Sequence, residues 1–225
     1  MRLYYHPVST ACRPVMLLAA EERIELDYRL IDLSKGEQRQ PEFAAINPSQ
    51  LVPVLEDDGF VLTEGSAILK YLAEKVGSAS YPTELRQRAR VHELMDWFNT
   101  ALYRDLGYGL VYPQVLPHHR RPDERVQAGV VEWGREKTRH WLGILDQHLL
   151  GPRKTWLAGD AATVADYFGA AIVTLGEVVR LDYSPYPNLA RWLQNIKARP
   201  AWSKVNEAYY AYFVAPFKDA PFVGL

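Results

Sequence analysis

The residues best suited to bind a ligand lie in two short segments, Val52-Pro53 and Glu64-Gly65-Ser66. Proline removes a ladder hydrogen bond, so Pro53 inside an apolar run predicts a strand end or a cis peptide bond. Backbone groups beside it are then free to pair with another chain. Glu64 and Ser66 begin an amphipathic run, where the free N–H groups and the dipole of a helix favour an anion. Together the segments predict a site for an extended peptide carrying a carboxylate. The alternative is a strand, a turn and a capped helix without a ligand.

Composition narrows the class of protein. The chain has 225 residues, with 26 Lys+Arg against 27 Asp+Glu and a formal net charge of -1. This balance provides no basic field for nucleic acid or an anionic membrane. The single cysteine, Cys12, excludes an intrachain disulfide and fits a reducing compartment. Because there is also no apolar run of about 18 residues and no signal-like start, we expect a soluble cytoplasmic protein without nucleic-acid or membrane partners.

The elements that position the two segments differ between the halves of the chain. Through about residue 76 the patterns alternate as β-α-β-α-β-β-α, in residues 3–5, 14–22, 26–31, 41–45, 52–55, 60–62 and 67–76. Asp57-Asp58-Gly59 predicts a tight antiparallel hairpin between the last two strands. A small mixed sheet with helices on both faces is therefore expected.

The second half is predicted to be all-helical. Apolar residues recur in steps of three and four from Val91 through Leu94 to Phe98, and Thr163 with Asp166 resembles a capping box. About five helices are expected. We predict domain boundaries at 1–77 and 87–225, with a linker at 78–86.

The alternating strands and helices of the first half, the helical second half and the segment YYHPVSTACR at residues 4–13 form a combined pattern. This pattern resembles a cytosolic glutathione transferase of the serine type, near the theta and delta classes. The resemblance covers essentially the whole chain. It implies an α/β thioredoxin-like N-terminal domain with a cis proline at Pro53, followed by an all-α C-terminal domain with a capping-box motif around Gly159, Thr163 and Asp166. Fold alone does not give function, because the family also holds isomerases, dehalogenases and ligand binders without activity.

The resemblance places Ser9 where these classes have the hydroxyl that hydrogen-bonds the glutathione sulfur. A free thiol has a pKa of about 8.5, and each unit of depression represents about 1.4 kcal/mol of preference for the thiolate. A hydroxyl donor at a helix N-terminus supplies such a preference by hydrogen bond and dipole. The alternative is that Ser9 only caps the helix beginning near Ala11.

For glutathione itself, the resemblance implies that Val52, before Pro53, pairs its backbone with the cysteinyl part. Glu64 then meets the γ-glutamyl amine, and the N–H groups of Gly65 and Ser66 receive the carboxylate. The family usually has serine after the acidic residue. We therefore expect Gly65→Ser to leave binding unchanged or to tighten it.

At the other end of glutathione, the resemblance implies contacts to the glycyl carboxylate or the peptide from Gln38, Arg39 and Gln50. Ordinary solvated side chains are the alternative for all three. Cys12 lacks the second sulfur of a dithiol redox motif, so we expect its side chain to be buried in the core. Tyr4 and Tyr5 lie in the first strand, and we expect their side chains to pack as well.

An apolar cleft for the electrophile is expected on the long helix of the second half, with helix–helix core as the alternative. The predicted lining residues are Phe98, Leu102, Tyr103, Tyr108 and Tyr112. The basic cluster at residues 118–121 is interpreted as a solvated face, and no metal is expected.

The predicted function is transfer of glutathione, as cosubstrate, to a hydrophobic electrophile by a homodimer whose interface covers Met95, Trp97 and Leu102. One rival is glutathione-dependent isomerase, peroxidase or dehalogenase chemistry. The other is a ligand-binding protein without activity.

Overall fold

The computed structural model describes residues 1–225 and has a four-stranded mixed sheet in its first third. Its strands are β1 (Arg2–Tyr5), β2 (Asp27–Leu30), β3 (Val54–Asp57) and β4 (Phe60–Leu62), in the spatial order β2-β1-β3-β4. β1 pairs in parallel with β2 and antiparallel with β3, and β4 closes the edge antiparallel to β3. The predicted fold class is confirmed.

Three helices pack on this sheet: α1 (Cys12–Glu21), α2 (Pro41–Ile46) and α3 (Gly65–Lys75). A short 3-10 helix, Glu37–Arg39, precedes α2. Successive strand residues face opposite sides of a sheet. Accordingly, Leu3 joins a core with residues of α1 and α3, whereas Tyr4 packs against Phe43 of α2.

The predicted hairpin and cis peptide bond are both present. Asp58 and Gly59 have φ values of 49° and 83°, the left-handed pair that a tight β3–β4 turn requires. The Val52-Pro53 bond is cis. The predicted strand at residues 52–55 begins later, at Val54, because the proline ends the ladder.

The rest of the chain is helical, in five stretches as predicted. The α-helices are α4 (Leu85–Trp97), α5 (Tyr112–Val115), α6 (Glu124–Ile144), α7 (Val164–Val173), α8 (Pro187–Lys197) and α9 (Trp202–Tyr209). A π-type helix, Phe98–Val111, joins α4 to α5 without a break, so these three form one long stretch. None of the helices combines the length and apolar character needed to cross a bilayer.

The capping box at the start of α7 is confirmed and ties several elements together. Asp166 is fully buried and accepts hydrogen bonds from the Thr163 backbone at 2.8 Å, the Leu157 backbone at 2.9 Å and Trp192 Nε1 at 2.8 Å. Burial raises the pKa of this carboxyl, and its donors oppose that shift. The motif therefore fixes α7 against α8 and the loop before it, and α7 in turn packs on α1 and α3.

Candidate functional site

The sheet register brings the loop after β1 next to the loop before β3. Tyr4 is paired with Val54 in the antiparallel β1–β3 ladder. The carboxyl end of β1, which leads to Ser9, therefore lies at the same sheet edge as Val52-Pro53, which leads into β3. Two segments far apart in sequence thus meet at one edge.

Ser9 lies in the turn between β1 and α1 and is partly exposed. Its carbonyl oxygen accepts from the N–H groups of Cys12 at 3.1 Å and Arg13 at 3.0 Å. The N-cap residue of α1 is Ala11, and no side chain caps this helix. The capping role considered for Ser9 is therefore absent, and its hydroxyl donates to no backbone group.

The backbone beside the cis bond is unpaired. The N–H and C=O groups of Val52 form no hydrogen bond within the chain, and the side chain is buried. The preceding turn is held by Asn47, whose Nδ2 donates to the Leu51 carbonyl at 2.8 Å. This leaves a short extended segment with both of its polar groups free for an added strand.

The N-terminus of α3 offers two further donors. The N–H groups of Gly65 and Ser66 form no hydrogen bond within the chain, whereas those of Ala67 and Ile68 both donate to the Glu64 carbonyl. Glu64 is exposed and has a φ of 66°, an uncommon conformation for a residue other than glycine. Unpaired N–H groups at the positive end of a helix form a ready site for an anion.

The N-termini of α1 and α3 meet at Gly65 and Ala11. A side chain at position 65 would place its Cβ atom 2.8 Å from the Ala11 carbonyl oxygen, a backbone atom. This close approach argues against the expectation that Gly65→Ser leaves binding unchanged or tightens it, because the two helix ends must move apart to admit a side chain here. The close approach directs both helix dipoles toward the loop that holds Ser9.

Cys12 behaves as a core residue, which confirms the expectation. It is fully buried and packs with Phe43, Val52 and Val54. Burial raises the pKa of its thiol to about 11, and a contact with the Ser9 hydroxyl offsets only part of this shift. Because the thiolate is the reactive form, Cys12 is inert at neutral pH.

Tyr4 and Tyr5 also pack, as expected. The Tyr4 ring lies edge-on to Phe43 at 6.1 Å, and its hydroxyl donates to Glu56 at 3.0 Å. The Tyr5 ring contacts the Tyr28 ring at 5.1 Å.

An aromatic cluster from the helical half faces the turn that contains Ser9. The Tyr112 hydroxyl lies 3.1 Å from Thr10 Oγ1 and 2.8 Å from the Tyr103 hydroxyl. The Tyr108 ring lies 5.3 Å from the Tyr103 ring and 5.1 Å from the Tyr112 ring, and Tyr108 is 46% exposed. Three of the five predicted pocket residues therefore stand together beside the Ser9 turn.

Burial sets the protonation of this cluster. It raises the pKa of Tyr112 to about 12 and that of Tyr103 well above its usual range. Both phenols therefore stay protonated and keep a hydrogen to donate. His119 packs on the Tyr112 ring at 5.4 Å and burial lowers its pKa, so this member of the basic cluster is not on a solvated face.

Phe98 and Leu102 do not line this cluster. Both are fully buried, and the Phe98 ring stacks on Trp192 at 6.4 Å and leaves no room for a side chain on Gly169. Their assignment to the pocket is corrected to helix–helix core, the alternative that the sequence left open. Met95 is also fully buried and Trp97 is mostly buried, so these residues leave little of the apolar surface expected to drive dimer formation.

The remaining predicted residues lie in the two segments that follow β2 and precede the cis bond. Gln38 has a buried Oε1 atom without a donor, and Arg39 is exposed beside it. Gln50 is exposed and has a φ of 57°, next to Leu51. Because β1 and β2 are parallel, the segment after β2 starts from the same sheet edge as the Ser9 loop.

Two residues at this site were missed from the sequence. Thr10 has no predicted role because a threonine beside Ser9 carries no pattern of its own, although its hydroxyl contacts Tyr112. Arg13 also has no predicted role, yet it is 1% exposed. An arginine inside the apolar stretch of a helix was the available signal, because arginine is almost never fully buried unless it is paired.

The chain is similar to known proteins in both of its halves. The family model for the glutathione S-transferase N-terminal domain matches residues 1–74, and the family model for the C-terminal domain matches residues 113–200. Glutathione S-transferase D7 of Drosophila melanogaster is 34% identical over 206 residues, which cover 90% of this chain and 87% of that protein.

Solved structures are similar over nearly the full length. A delta-class glutathione transferase of Nilaparvata lugens superposes with a TM-score of 0.83 at 34% identity, over 96% of this chain and 98% of that one. Human glutathione-S-transferase T1-1 superposes with a TM-score of 0.77 at 29% identity, over 93% and 90% of the two chains. The similarity thus includes both halves and their arrangement.

Proposed function

The chain belongs to the glutathione S-transferase family and is a glutathione transferase, and on that basis we propose that Ser9 holds the glutathione sulfur as a thiolate. The observation that carries this proposal is the partly exposed Ser9 hydroxyl, which caps no helix, at the point where the N-termini of α1 and α3 converge. A hydroxyl donor and two helix dipoles all favour the anion. The thiolate then attacks an electrophilic carbon, and the sulfur–carbon bond forms as the leaving group departs or the acceptor bond is saturated.

The same geometry supports a pose for glutathione. The free N–H and C=O groups of Val52, fixed by Pro53, pair with the cysteinyl residue as an added strand. The free N–H groups of Gly65 and Ser66 receive the γ-glutamyl carboxylate, and the Glu64 carboxylate receives the amine.

At the glycyl end, Gln38, Arg39 and Gln50 are proposed to contact the ligand. The side-chain amides of Gln38 and Gln50 can donate N–H bonds to the glycyl carboxylate or to the peptide. Arg39 supplies a positive charge near the glycyl carboxylate. Gln50 adds an amide beside the free strand segment.

The electrophile is proposed to rest on Tyr103, Tyr108 and Tyr112. Their rings favour an apolar, planar substrate, and the exposed Tyr108 ring offers it a surface. Holding the thiolate and the electrophile side by side supplies catalysis through proximity. We propose that the reaction removes reactive electrophiles in a reducing compartment such as the cytoplasm.

The test compares Ser9→Ala with Ser203→Ala, which removes an exposed serine hydroxyl on α9. Ser9→Ala is expected to leave glutathione affinity nearly unchanged, to raise the pKa of the bound thiol and to lower turnover by about ten- to a thousandfold, the range for one oriented donor to a reacting anion. Ser203→Ala should match wild type.

Thiolate absorbance in the binary complex, calorimetric affinity and product analysis with electrophiles, hydroperoxides and haloalkanes provide the measurements. Full turnover in a folded Ser9→Ala variant would contradict the serine mechanism. The product panel also separates transfer from isomerase, peroxidase or dehalogenase chemistry.

A further inference from the structure

Arg13 is a cation buried between the two halves of the chain. Its Nη1 donates to Asn206 Oδ1 at 2.9 Å and to Thr174 Oγ1 at 3.1 Å, and its Nη2 donates to the Ala171 carbonyl at 2.7 Å. The guanidinium also stacks on the Tyr209 ring at 3.7 Å from its centroid. All of these partners are electrically neutral.

No carboxylate pairs with this charge. Arg13 forms no ion pair, and its Nε atom is buried without a partner. The Arg13 charge acts on three titratable groups around it, Cys12 on α1, Tyr112 on α5 and Tyr209 on α9. All three are neutral near pH 7 because burial raises their pKa values. Buried charges in proteins are normally paired, so this cation is exceptional.

The other charged groups in the neighbourhood are already engaged with each other. Glu177, in the 3-10 turn after α7, pairs with Lys197 at 2.5 Å. Glu21, at the end of α1, pairs with Arg199 at 2.6 Å. Neither carboxylate is available to compensate Arg13.

The residue that carries this cation is tied to the Ser9 turn through its backbone. Arg13 is the second residue of α1, and its backbone N–H donates to the Ser9 carbonyl at 3.0 Å. Its charge reaches the site, since it opposes the burial-induced rise in pKa of both Cys12 and Tyr112. A positive charge in the first turn of a helix is normally unfavourable against the dipole. Here it adds to the positive potential at that helix end.

We propose that Arg13 acts as an uncompensated, preorganised positive charge that stabilises the glutathione thiolate at Ser9 without touching it. This inference rests on the proposed function of Ser9. A fixed charge in a water-excluded position needs no reorganisation when the anion forms, so its effect on the reacting sulfur is retained. The neutral partners hold the guanidinium in place without cancelling its field.

The size of the effect follows from Coulomb's law. At an effective dielectric constant of about 20, a unit charge roughly 10 Å from an anion shifts the pKa of that anion by about one unit. The bound thiol would then be about tenfold less ionised at neutral pH if the charge were cancelled.

A purely structural role for Arg13 is separable from this electrostatic one by changes at Asn206. Asn206→Asp places a carboxylate oxygen where Oδ1 now lies, 2.9 Å from Arg13 Nη1, and so cancels the field while strengthening the contact between the halves. Asn206→Ala removes one contact but leaves the charge intact. Both variants lose the bond from Asn206 Nδ2 to the Trp202 carbonyl, and in Asn206→Asp a carboxylate oxygen faces that carbonyl instead.

The experiment titrates thiolate absorbance of bound glutathione and records thermal unfolding. Asn206→Asp is expected to raise the thiol pKa by about one unit, with a melting temperature at or above that of Asn206→Ala. Asn206→Ala should keep the wild-type thiol pKa. An unchanged thiol pKa in folded Asn206→Asp overturns the proposal.

Two further measurements keep the inference testable. If Asn206→Asp does not fold, Arg13→Gln must show the same rise, and an unchanged thiol pKa there overturns the proposal. Ser9→Ala is titrated in parallel: a shift in Asn206→Asp but none in Ser9→Ala refutes the role of Ser9 and upholds that of Arg13. Absence of bound thiolate in the wild-type protein refutes both.

Discussion

Ser9 and Cys12 lie three residues apart, and their surroundings assign them opposite chemistry. The Ser9 hydroxyl is partly exposed and contacts the Cys12 thiol, whereas the thiol itself is fully buried among residues of α2 and the cis-proline segment. A mixed disulfide with glutathione requires an accessible thiolate. The redox interpretation therefore fails on access as well as on the lack of a second cysteine.

The Cys12 thiol is expected to react slowly with alkylating reagents. With a pKa of about 11 its thiolate fraction at pH 7 is about one in ten thousand, roughly 300-fold below that of an ordinary thiol. The rate in the folded protein should rise about tenfold per pH unit until near pH 11, since it follows the thiolate. Mass-spectrometric labelling against pH measures this, with a denatured sample as control. Rapid labelling at pH 7 would contradict the buried environment.

Gly65 is required by the contact between two helix ends. Gly65→Ser is expected to cost about 1–3 kcal/mol, the usual range for forcing atoms into a packed site, and to weaken glutathione binding by moving the α3 N–H groups. Gly143→Ser is the control, because its added side chain meets no atom within 4 Å. Chemical denaturation and calorimetric titration measure the two effects. A Gly65→Ser variant as stable as wild type, with tighter binding, would show that the helix ends separate freely.

At the scale of elements, the aromatic side of the site depends on a helix crossing. α6 meets the π-type helix where Gly134 faces Gly109, and a side chain at 134 would lie 2.4 Å from the Gly109 carbonyl carbon. Tyr108 and Tyr112 flank this contact. The crossing therefore sets where the aromatic cluster stands relative to the Ser9 turn.

Gly134→Ala is expected to shift the aromatic cluster and to raise KM for the electrophile. Destabilisation of about 1–3 kcal/mol should accompany the shift, because backbone and not a flexible side chain must move. The same change at Gly129, on α6 but in open space, should be neutral or stabilise by up to about 1 kcal/mol. Steady-state kinetics at saturating glutathione measures KM for the electrophile in the two variants, and thermal unfolding measures their stability. If the two variants have the same KM and the same stability, the crossing does not position the aromatic cluster.

At the scale of the whole molecule, we propose a two-fold dimer on a surface other than the one first expected. Met95 and Leu102 are buried within the chain, but the edge strand β4 exposes Phe60 at 50% and Val61 at 44%. An exposed apolar edge strand is a ready surface for association.

Light scattering is expected to give about twice the 25.7 kDa mass of one chain at micromolar concentration. Phe60→Lys should lower this mass toward that of a single chain, because it places a charge in the proposed contact. Tyr212→Lys should not, although Tyr212 is 75% exposed on the last helical stretch. A wild-type mass near one chain would refute the dimer.

The sequence by itself determined the order of elements, the hairpin, the cis proline, the capping box and the helical second half. These features depend on local rules: side-chain period, turn residues with positive φ, and the missing N–H of proline. It also predicted Cys12 as core and marked Val52, Glu64 and Ser9 as candidates. Their contacts with glutathione remain predictions.

Only the tertiary structure decided how space is shared between distant segments. Periodicity identifies the apolar face of a helix but not its partner, so Phe98 and Leu102 proved to be core while Tyr108 and Tyr112 reached the Ser9 turn. Position 65 has no room for a side chain because the backbone of Ala11, more than fifty positions away in the chain, lies against it. The isolation of Arg13 likewise depends on which neutral groups of the second half surround it, because an electrostatic environment is a property of distances in space.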